Sequence, residues 1–377
     1  MRVLDYYPFL DARQVAKIAI QEITTPDAFA AVGFDRTLTR RVPRHRLIQS
    51  TAYKPRALSW SDDDVILVTG GAKGITAFCA LGVAHATGAH MALVGRSPHP
   101  NDRSDEAAGD EITETLQKYA DAGLVAEYFS CDVCDLESVA SLIDRIRQEM
   151  GPVRGVIHGA GLNHPQPTRQ VSVPEALKEV RPKIMGALNL LYILEDTPPN
   201  LFVGLSSIIG VTGMAGNAWY GFSNESLDVI LRQFEALHPE TQTLAVAFSI
   251  WRDEGMGARL GSVKRLKQMG VDAIPTAEGV RRFVHLFLND PGVQQVIVSA
   301  RLAELDTWCL KPCRTIPGAR YLEKLAAATP GVESVFKAHL TLERDPYLQD
   351  HAFNGSYLFP TVFGLEAMAQ VVAHTTG

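Results

Sequence analysis

Short apolar runs recur through the middle of the chain, and most are followed by a polar turn and then by apolar residues at helical spacing. Val65-Ile66-Leu67-Val68 precedes a helix opening at Gly74 and running to about Gly88. Met91-Ala92-Leu93-Val94 precedes a polar, acidic helix over about 104–122, and Val125 to Ser130 precedes one over about 136–149. Val153-Arg154-Gly155-Val156-Ile157, Leu201-Phe202-Val203-Gly204-Leu205, Leu244-Ala245-Val246-Ala247-Phe248 and Val296-Ile297-Val298 complete the series. Runs that are apolar throughout read as strands buried on both faces. Their alternation with helices predicts an α/β fold, a doubly wound parallel sheet with right-handed crossovers. Such a sheet places its ligands at the carboxyl ends of its strands.

The flanks follow different patterns. Residues 1–58 hold a helical pattern around Val15, Ile18, Ala19 and Ile23 and then an irregular basic segment, and Ser59 to Asp64 (SWSDDD) reads as a linker. Asp306 to Thr329, with Pro312, Pro317, Gly318 and several alanines, reads as a second linker carrying one short helix. The expected division is 1–58, 59–305, 306–335 and 336–377.

With 377 residues, 46% of them hydrophobic, the chain can bury a full core over two or three units. A net charge of −6 argues against nucleic acid or an anionic membrane as the main partner. The cluster Arg36, Arg40, Arg41, Arg44 and Arg46 runs against that average and reads as a solvated face. No run of about 18 apolar residues spans a bilayer, so a cytoplasmic location is expected. Cys131-Asp132-Val133-Cys134 has no matching second pair, and no metal is expected there.

Two stretches carry chemistry. Thr69-Gly70-Gly71-Ala72-Lys73-Gly74-Ile75 lies between the first strand and its helix, where glycines let the backbone approach a pyrophosphate held by the helix N-terminus. Gly95-Arg96-Ser97 ends the second strand, where a site for NAD needs an acidic residue. Arg96, with Lys73 nearby, instead suits a 2′-phosphate, so NADPH is the expected cofactor. The second stretch places Ser207 at a strand end, with Tyr220 and Asn224 at i and i+4 on one helix face, their Cβ atoms roughly 5–6 Å apart. A phenol beside a serine hydroxyl can donate a proton to a carbonyl oxygen, and Lys183 is the candidate cation to lower the phenol's pKa. At ~4 Å and an effective dielectric near 20 the attraction is about 4 kcal/mol, or up to about three pKa units.

Lys183, Ser207, Tyr220 and Asn224, at these separations, resemble the active-site tetrad of ketoreductase domains in type I polyketide and polyunsaturated-fatty-acid synthases, within the short-chain dehydrogenase/reductase superfamily. The turn at 69–76 is similar to that superfamily's TGxxxGxG, with Thr76 in place of the last glycine, a departure that bears on cofactor affinity. The resemblance makes Asp132-Val133 the adenine-side pair and Gly159-Ala160-Gly161 the nicotinamide-side loop, with His158 shaping backbone only. It makes Trp251 and Met256, in the long connection 249–271, part of a substrate lid. The family's two stereochemical markers are replaced, by Asn163-His164-Pro165 and by Thr212, so the alcohol's configuration is not assigned.

Residues 1–58 resemble a remnant of the structural half that precedes such catalytic domains. His351, Gly355 and Pro360 form H-x3-G-x4-P, which resembles the start of a hot-dog-fold dehydratase, leading into a helix near Gly364; without an acidic partner within this sequence His351 is expected to be inert. The resemblance implies NADPH-dependent reduction of a β-ketoacyl group on an acyl carrier protein, among neighbouring synthase domains. The alternatives are a stand-alone reductase of a diffusible carbonyl and a degenerate domain that only binds.

Overall fold

The computed structural model describes residues 2–24, 30–43, 45–48, 50–99, 111–255, 261–268, 270–302, 310–311, 317–329 and 333–376. It divides into two compact units, Gln49–Ala300 and Met1–Ile48 with Arg301–Gly377.

The larger unit holds one seven-stranded sheet, β1 (Val65–Thr69), β2 (His90–Gly95), β3 (Ala126–Ser130), β4 (Val153–His158), β5 (Leu201–Ser207), β6 (Gln242–Phe248) and β7 (Gln295–Val298). All pairings are parallel, in the spatial order β3-β2-β1-β4-β5-β6-β7. Between them run α1 (Gly74–Thr87), α2 (Glu111–Asp121), α3 (Leu136–Glu149), α4 (Val173–Ile193), α5 (Ile208–Thr212), α6 (Ala218–Leu237), α7 (Ser262–Gln268) and α8 (Thr276–Leu288). The sheet and its strands are those the apolar runs predict, most of them lengthened by a residue or two at their ends and the third starting one residue later, at Ala126. The acidic helix is described only from Glu111 onward.

Every residue of β1 and β5 is buried, and the pleat sorts β1 between two cores. Ile66 and Val68 face Cys79, Val83, Phe283 and Phe287 of α1 and α8, while Val65 and Leu67 share a cluster with Ile143, Leu190, Leu227 and Leu231 of α3, α4 and α6. At about 1.5–3 kcal/mol for each buried large aliphatic side chain, this double layer outweighs any local preference.

Glycines let two helices come close to the sheet. A Cβ on Gly204 would meet Leu231 Cδ1 at 2.8 Å, and one on Gly186 would meet Val133 Cγ2 at 2.8 Å and His158 Cε1 at 2.9 Å. The crossover changes direction between β1 and β4, where Thr69 and His158 are register partners, the place at the carboxyl ends where such sheets take their ligands.

Gln49 to Leu58 group with this larger unit, so its boundary lies before the one expected at 58/59. The reason is specific: Lys54–Pro55 pairs with Asn289–Asp290, and Arg56 donates to Gln242 Oε1 at 2.5 Å and to the Leu286 carbonyl at 3.3 Å.

In the second unit Arg2–Tyr6 and Ala30–Phe34 pair in parallel, with helix Ala12–Ile23 between them in sequence, capped by a reciprocal Asp11–Gln14 box. Arg40 pairs with the buried Glu22 and Arg41 with Asp35, so the basic cluster is partly neutralised; Arg44 lies outside the described residues. The segment expected to be a linker with a short helix is instead an antiparallel pair, Lys324–Thr329 with Glu333–Lys337. Burial of Leu325, paired with Phe336, and of Ala326 at a bulge beside it overrides the helical preference of the alanine run. Ala352–Phe353 and Ser356–Tyr357 close around Asn354 and Gly355, both at positive φ, and helix Thr361–Thr376 follows, starting three residues before Gly364. Among the described residues no helix is long and apolar enough to cross a membrane.

Candidate active site

The turn after β1 is built by close approach. Gly70 sits at φ +68°, and a Cβ there would lie 3.0 Å from the Gly159 carbonyl; one on Gly71 would meet Val68 Cγ1 at 2.6 Å. Gly74 opens α1, and its N–H donates to Glu111 Oε1 at 3.0 Å, a carboxylate at the end of the helix that favours negative charge. Lys73 is exposed at the N-cap, and Ile75 is partly buried with its Cγ2 3.0 Å from where a Cβ on Gly255 would be. Thr76 is buried in helix-to-loop packing: a Cβ on Gly159 would fall 2.4 Å from its Oγ1. Its methyl and hydroxyl occupy the space that glycine at 159 leaves.

Gly95, Arg96 and Ser97 follow at the end of β2. Tyr128, which the sequence did not single out, donates to the Ser97 carbonyl at 2.8 Å and lies 2.8 Å from where a Cβ on Gly95 would be. Arg96 is exposed and, with Arg181, acts on the Cys134 thiol. Burial pushes Cys131 and Cys134 up to about 11, so both are thiols rather than thiolates at neutral pH. Asp132 accepts from the Cys134 N–H at 3.0 Å, and the carbonyl of buried Val133 accepts from Asn189 Nδ2 at 2.9 Å.

The loop Gly159-Ala160-Gly161 is tied to the β1 end. The Gly159 N–H donates to the Thr69 carbonyl at 2.9 Å, and the Ala160 N–H donates to Thr69 Oγ1 at 3.3 Å. His158 is fully buried between two partners: Nδ1 lies 2.7 Å from Thr69 Oγ1 and Nε2 lies 2.9 Å from the Lys183 carbonyl. A carbonyl only accepts, so Nε2 carries the proton and Nδ1 accepts from the threonine. Burial, then the Lys183 charge, lowers His158 to about 3, so the ring is neutral.

Lys183, Ser207 and Asn224 are buried, and Tyr220 is half-buried with its hydroxyl end desolvated. Ser207 ends β5 and caps α5, accepting from the Ile209 N–H at 3.2 Å, which leaves its own O–H to donate. Asn224 Nδ2 donates to the Tyr220 carbonyl at 2.7 Å. Burial raises the phenol pKa above 10.0; Ser207 and Asn224 pull it down, and Glu179, a buried carboxylate one turn before Lys183, pushes it up again.

Lys183, the candidate cation for the phenol, is tied to the strand on its other side. Lys183 Nζ donates to the Leu205 carbonyl at 2.6 Å, its stem packs where a Cβ on Gly161 would lie 3.1 Å from Cε, and Asp228 is the charge that acts on it. A residue at this depth is governed by desolvation, which a spacing argument omits.

Trp251 is corrected. It is 3% exposed and packs edge-on against Phe248, with its ring 2.5 Å from where a Cβ on Gly279 would be. It anchors the base of the long connection in the core and presents no face to a substrate. Met256 lies outside the described residues. The connection does reach the nucleotide side, since Gly255 lies over Gly74 and Ile75. His351 is exposed and belongs to the other unit. No group of three or more metal-ligating side chains occurs among the described residues.

The family model for the KR domain matches residues 65–253. Polyketide synthase PksL of Bacillus subtilis is 29% identical over 253 residues, 66% of this chain and 5% of that protein, so the chain spans a small part of this relative. A crystal structure of a ketoreductase domain from the bacillaene assembly line superposes with a TM-score of 0.63 at 23% identity, covering 79% of this chain and 69% of that one. An alcohol dehydrogenase from the archaeon Thermococcus sibiricus, complexed with 5-hydroxy-NADP, shares the fold with a TM-score of 0.50 at 17% identity, over 63% of this chain and 96% of that one. With half its length matched by the family model, the chain belongs to the KR domain family, the ketoreductase domains of polyketide synthases.

Proposed function

We propose that this chain reduces the β-keto group of an acyl chain held as a thioester on an acyl carrier protein, giving the β-hydroxyacyl form, with NADPH as reductant. The observation that carries the reading is the gathering of Ser207, Tyr220, Asn224 and Lys183 at the end of β5, beside a crevice floored by the Gly70 turn and the Gly159-Ala160-Gly161 loop.

The residues present fit a dinucleotide. Gly70 and Gly71 leave no room for side chains where a pyrophosphate needs the backbone, and exposed Arg96 stands where a 2′-hydroxyl site would carry an acid. When bound, the nicotinamide supplies the hydride. Lys73 and Arg96 would hold the 2′-phosphate, Thr69, Gly74 and Ile75 the pyrophosphate side, Asp132 and Val133 the adenine side, and Gly159 to Gly161 the nicotinamide side.

Ser207 would donate to the substrate carbonyl oxygen and Tyr220 would protonate it as negative charge develops there. The raised phenol pKa keeps Tyr220 protonated at neutral pH, and an alkoxide is basic enough to take that proton from it. Lys183 would supply positive charge behind the serine strand, and Asn224 would hold the turn of α6 that carries the phenol. We assign residues 1–48 to a remnant structural half and 336–377 to the start of a dehydratase.

The test follows NADPH oxidation with a β-ketoacyl thioester surrogate and with a simple cyclic ketone. Turnover of the thioester at the higher kcat/KM supports the reading. Preference for the cyclic ketone points to a diffusible substrate, and binding without turnover to a degenerate domain.

A further inference from the structure

The glycine turn is held from two sides. At its start the Gly70 N–H donates to the Val94 carbonyl at 2.7 Å, so β2 fixes where the chain leaves β1. At its far end α2 takes hold at two points one helical turn apart. The Gly74 N–H donates to Glu111 Oε1 at 3.0 Å, and Thr115 Oγ1 donates to the Ala72 carbonyl at 3.0 Å. Glu111 and Thr115 are i and i+4, so they share one face of α2 and bracket Ala72-Lys73-Gly74 between an acceptor and a donor. We propose that Glu111 and Thr115 are positioning residues for the dinucleotide, a clamp from α2 that sets the backbone of residues 72–74 for the pyrophosphate. The role rests on the reductase reading above.

α2 is a firm base for such a clamp. Ile112 and Tyr119 are buried in the core cluster that also holds Cys79, Val83 and Met91, and Thr115 itself is 5% exposed. The far end of the turn has less to hold it through packing. Gly74 sits at positive φ with no side chain, Lys73 is exposed, and a hollow of about 190 Å³ lies beside Gly74, between Ala77 and Phe78 of α1 and Glu111 and Lys118 of α2. A backbone that includes glycine and lacks fixed partners samples several conformations. The affinity of a ligand that fits one of them falls with the fraction of the protein in that conformation.

The clamp also decides which donors remain for an anion. Glu111 takes the first N–H of α1, at the positive end of the helix dipole, and leaves the N–H groups that follow it in the first turn. A separate contact holds the chain after β2, where Tyr128 donates to the Ser97 carbonyl beside Arg96. The two fastenings have different signatures. The α2 clamp acts on the pyrophosphate, which NADPH and NADH share, whereas the contact beside Arg96 acts where only NADPH carries a phosphate.

The test measures the dissociation constants of NADPH and NADH by fluorescence titration for wild type, Thr115→Val, Thr115→Ser and Glu111→Ala. Thr115→Val and Glu111→Ala should each weaken both nucleotides by the same factor, about tenfold, while Thr115→Ser, which keeps the hydroxyl, stays near wild type. Amide hydrogen exchange at Gly74 should quicken in Glu111→Ala, and kcat at saturating NADPH should stay within about twofold of wild type. Unchanged dissociation constants in both variants, whatever their unfolding midpoints, overturn the proposal. Weakening of NADPH alone also overturns it, because the effect would then lie at the 2′-phosphate. Tighter binding in Glu111→Ala overturns it too, since the carboxylate would then compete with the pyrophosphate for the Gly74 N–H. If Thr115→Val does not fold, Glu111→Ala, a change at a partly exposed residue, decides alone. A wild type that binds neither nucleotide defeats the reductase reading and the positioning role with it, and a wild type that binds both while the variants bind as tightly defeats the positioning role alone.

Discussion

The turn after β1 and the interior between α4, β5 and α6 serve the same crevice with different physics. In the turn, space decides: Gly70, Gly71 and Gly159 are fixed by what a Cβ would strike, and Thr76 is tolerated because residue 159 has none. In the interior, charge in a dry place decides: Lys183, Asp228, Glu179 and His158 are all displaced from their ordinary pKa values by burial before any partner acts. A steric rule can be read from residue types at fixed offsets. An electrostatic one needs the distances and the solvent.

The sharpest way to separate the two regions is to disable one and measure the other. Tyr220→Phe should cut kcat by about 10²–10⁴-fold while the dissociation constant for NADPH stays within a factor of two or so, measured by stopped-flow turnover and by fluorescence titration. Turnover retained in that variant removes the phenol from the chemistry.

Arg96→Ala should act on the other side of the crevice only. Loss of a charge-assisted contact costs about 1.5–3 kcal/mol, or about 10–100-fold in NADPH affinity, with NADH binding unchanged. Equal weakening of both nucleotides would place Arg96 away from the 2′-phosphate.

Gly159→Ala drives a methyl toward Thr76 Oγ1 and should destabilise the fold by about 1–3 kcal/mol in urea unfolding. Thr76→Ala in the same chain should return most of it, because the two sites share one volume. An additive double variant would mean that Thr76 is not what fills that space.

His158 gives the smallest effect, and its sign follows from linkage. Its folded value near 3 lies below the ordinary 6.5, so the unfolded chain binds a proton that the folded chain refuses. The stability tied to its neutral form is full above pH 6.5 and is lost as pH falls toward 3, by at most about 1.4 kcal/mol per unit. His158→Gln should flatten that part of the slope, seen by comparing urea midpoints at neutral and mildly acidic pH. An unchanged slope would mean that another group sets acid stability.

Much of the larger unit was legible because buried parallel strands announce themselves as unbroken apolar runs, and Ser207, Tyr220, Asn224 and Lys183 are separated by spacings a strand and two helices enforce. The burial of Asp228 was missed although it shares the Tyr220 and Asn224 face of α6, because burial of an acid depends on what packs over it. Trp251 was misplaced because a tryptophan in a glycine-broken connection looks the same in sequence whether it faces a substrate or, as here, Phe248 and Gly279. The strand pair at 324–337 was read as linker because an alanine run carries no periodicity.

By itself the order of residues determined the parallel sheet and the glycine turn, since these follow from periodicity and from steric limits that act within a few residues. Only the tertiary structure decided that Lys183 is buried with its ammonium on the Leu205 carbonyl, and that Thr76 fits against Gly159. Those outcomes depend on which surfaces meet across the sheet, and on how much water the meeting excludes.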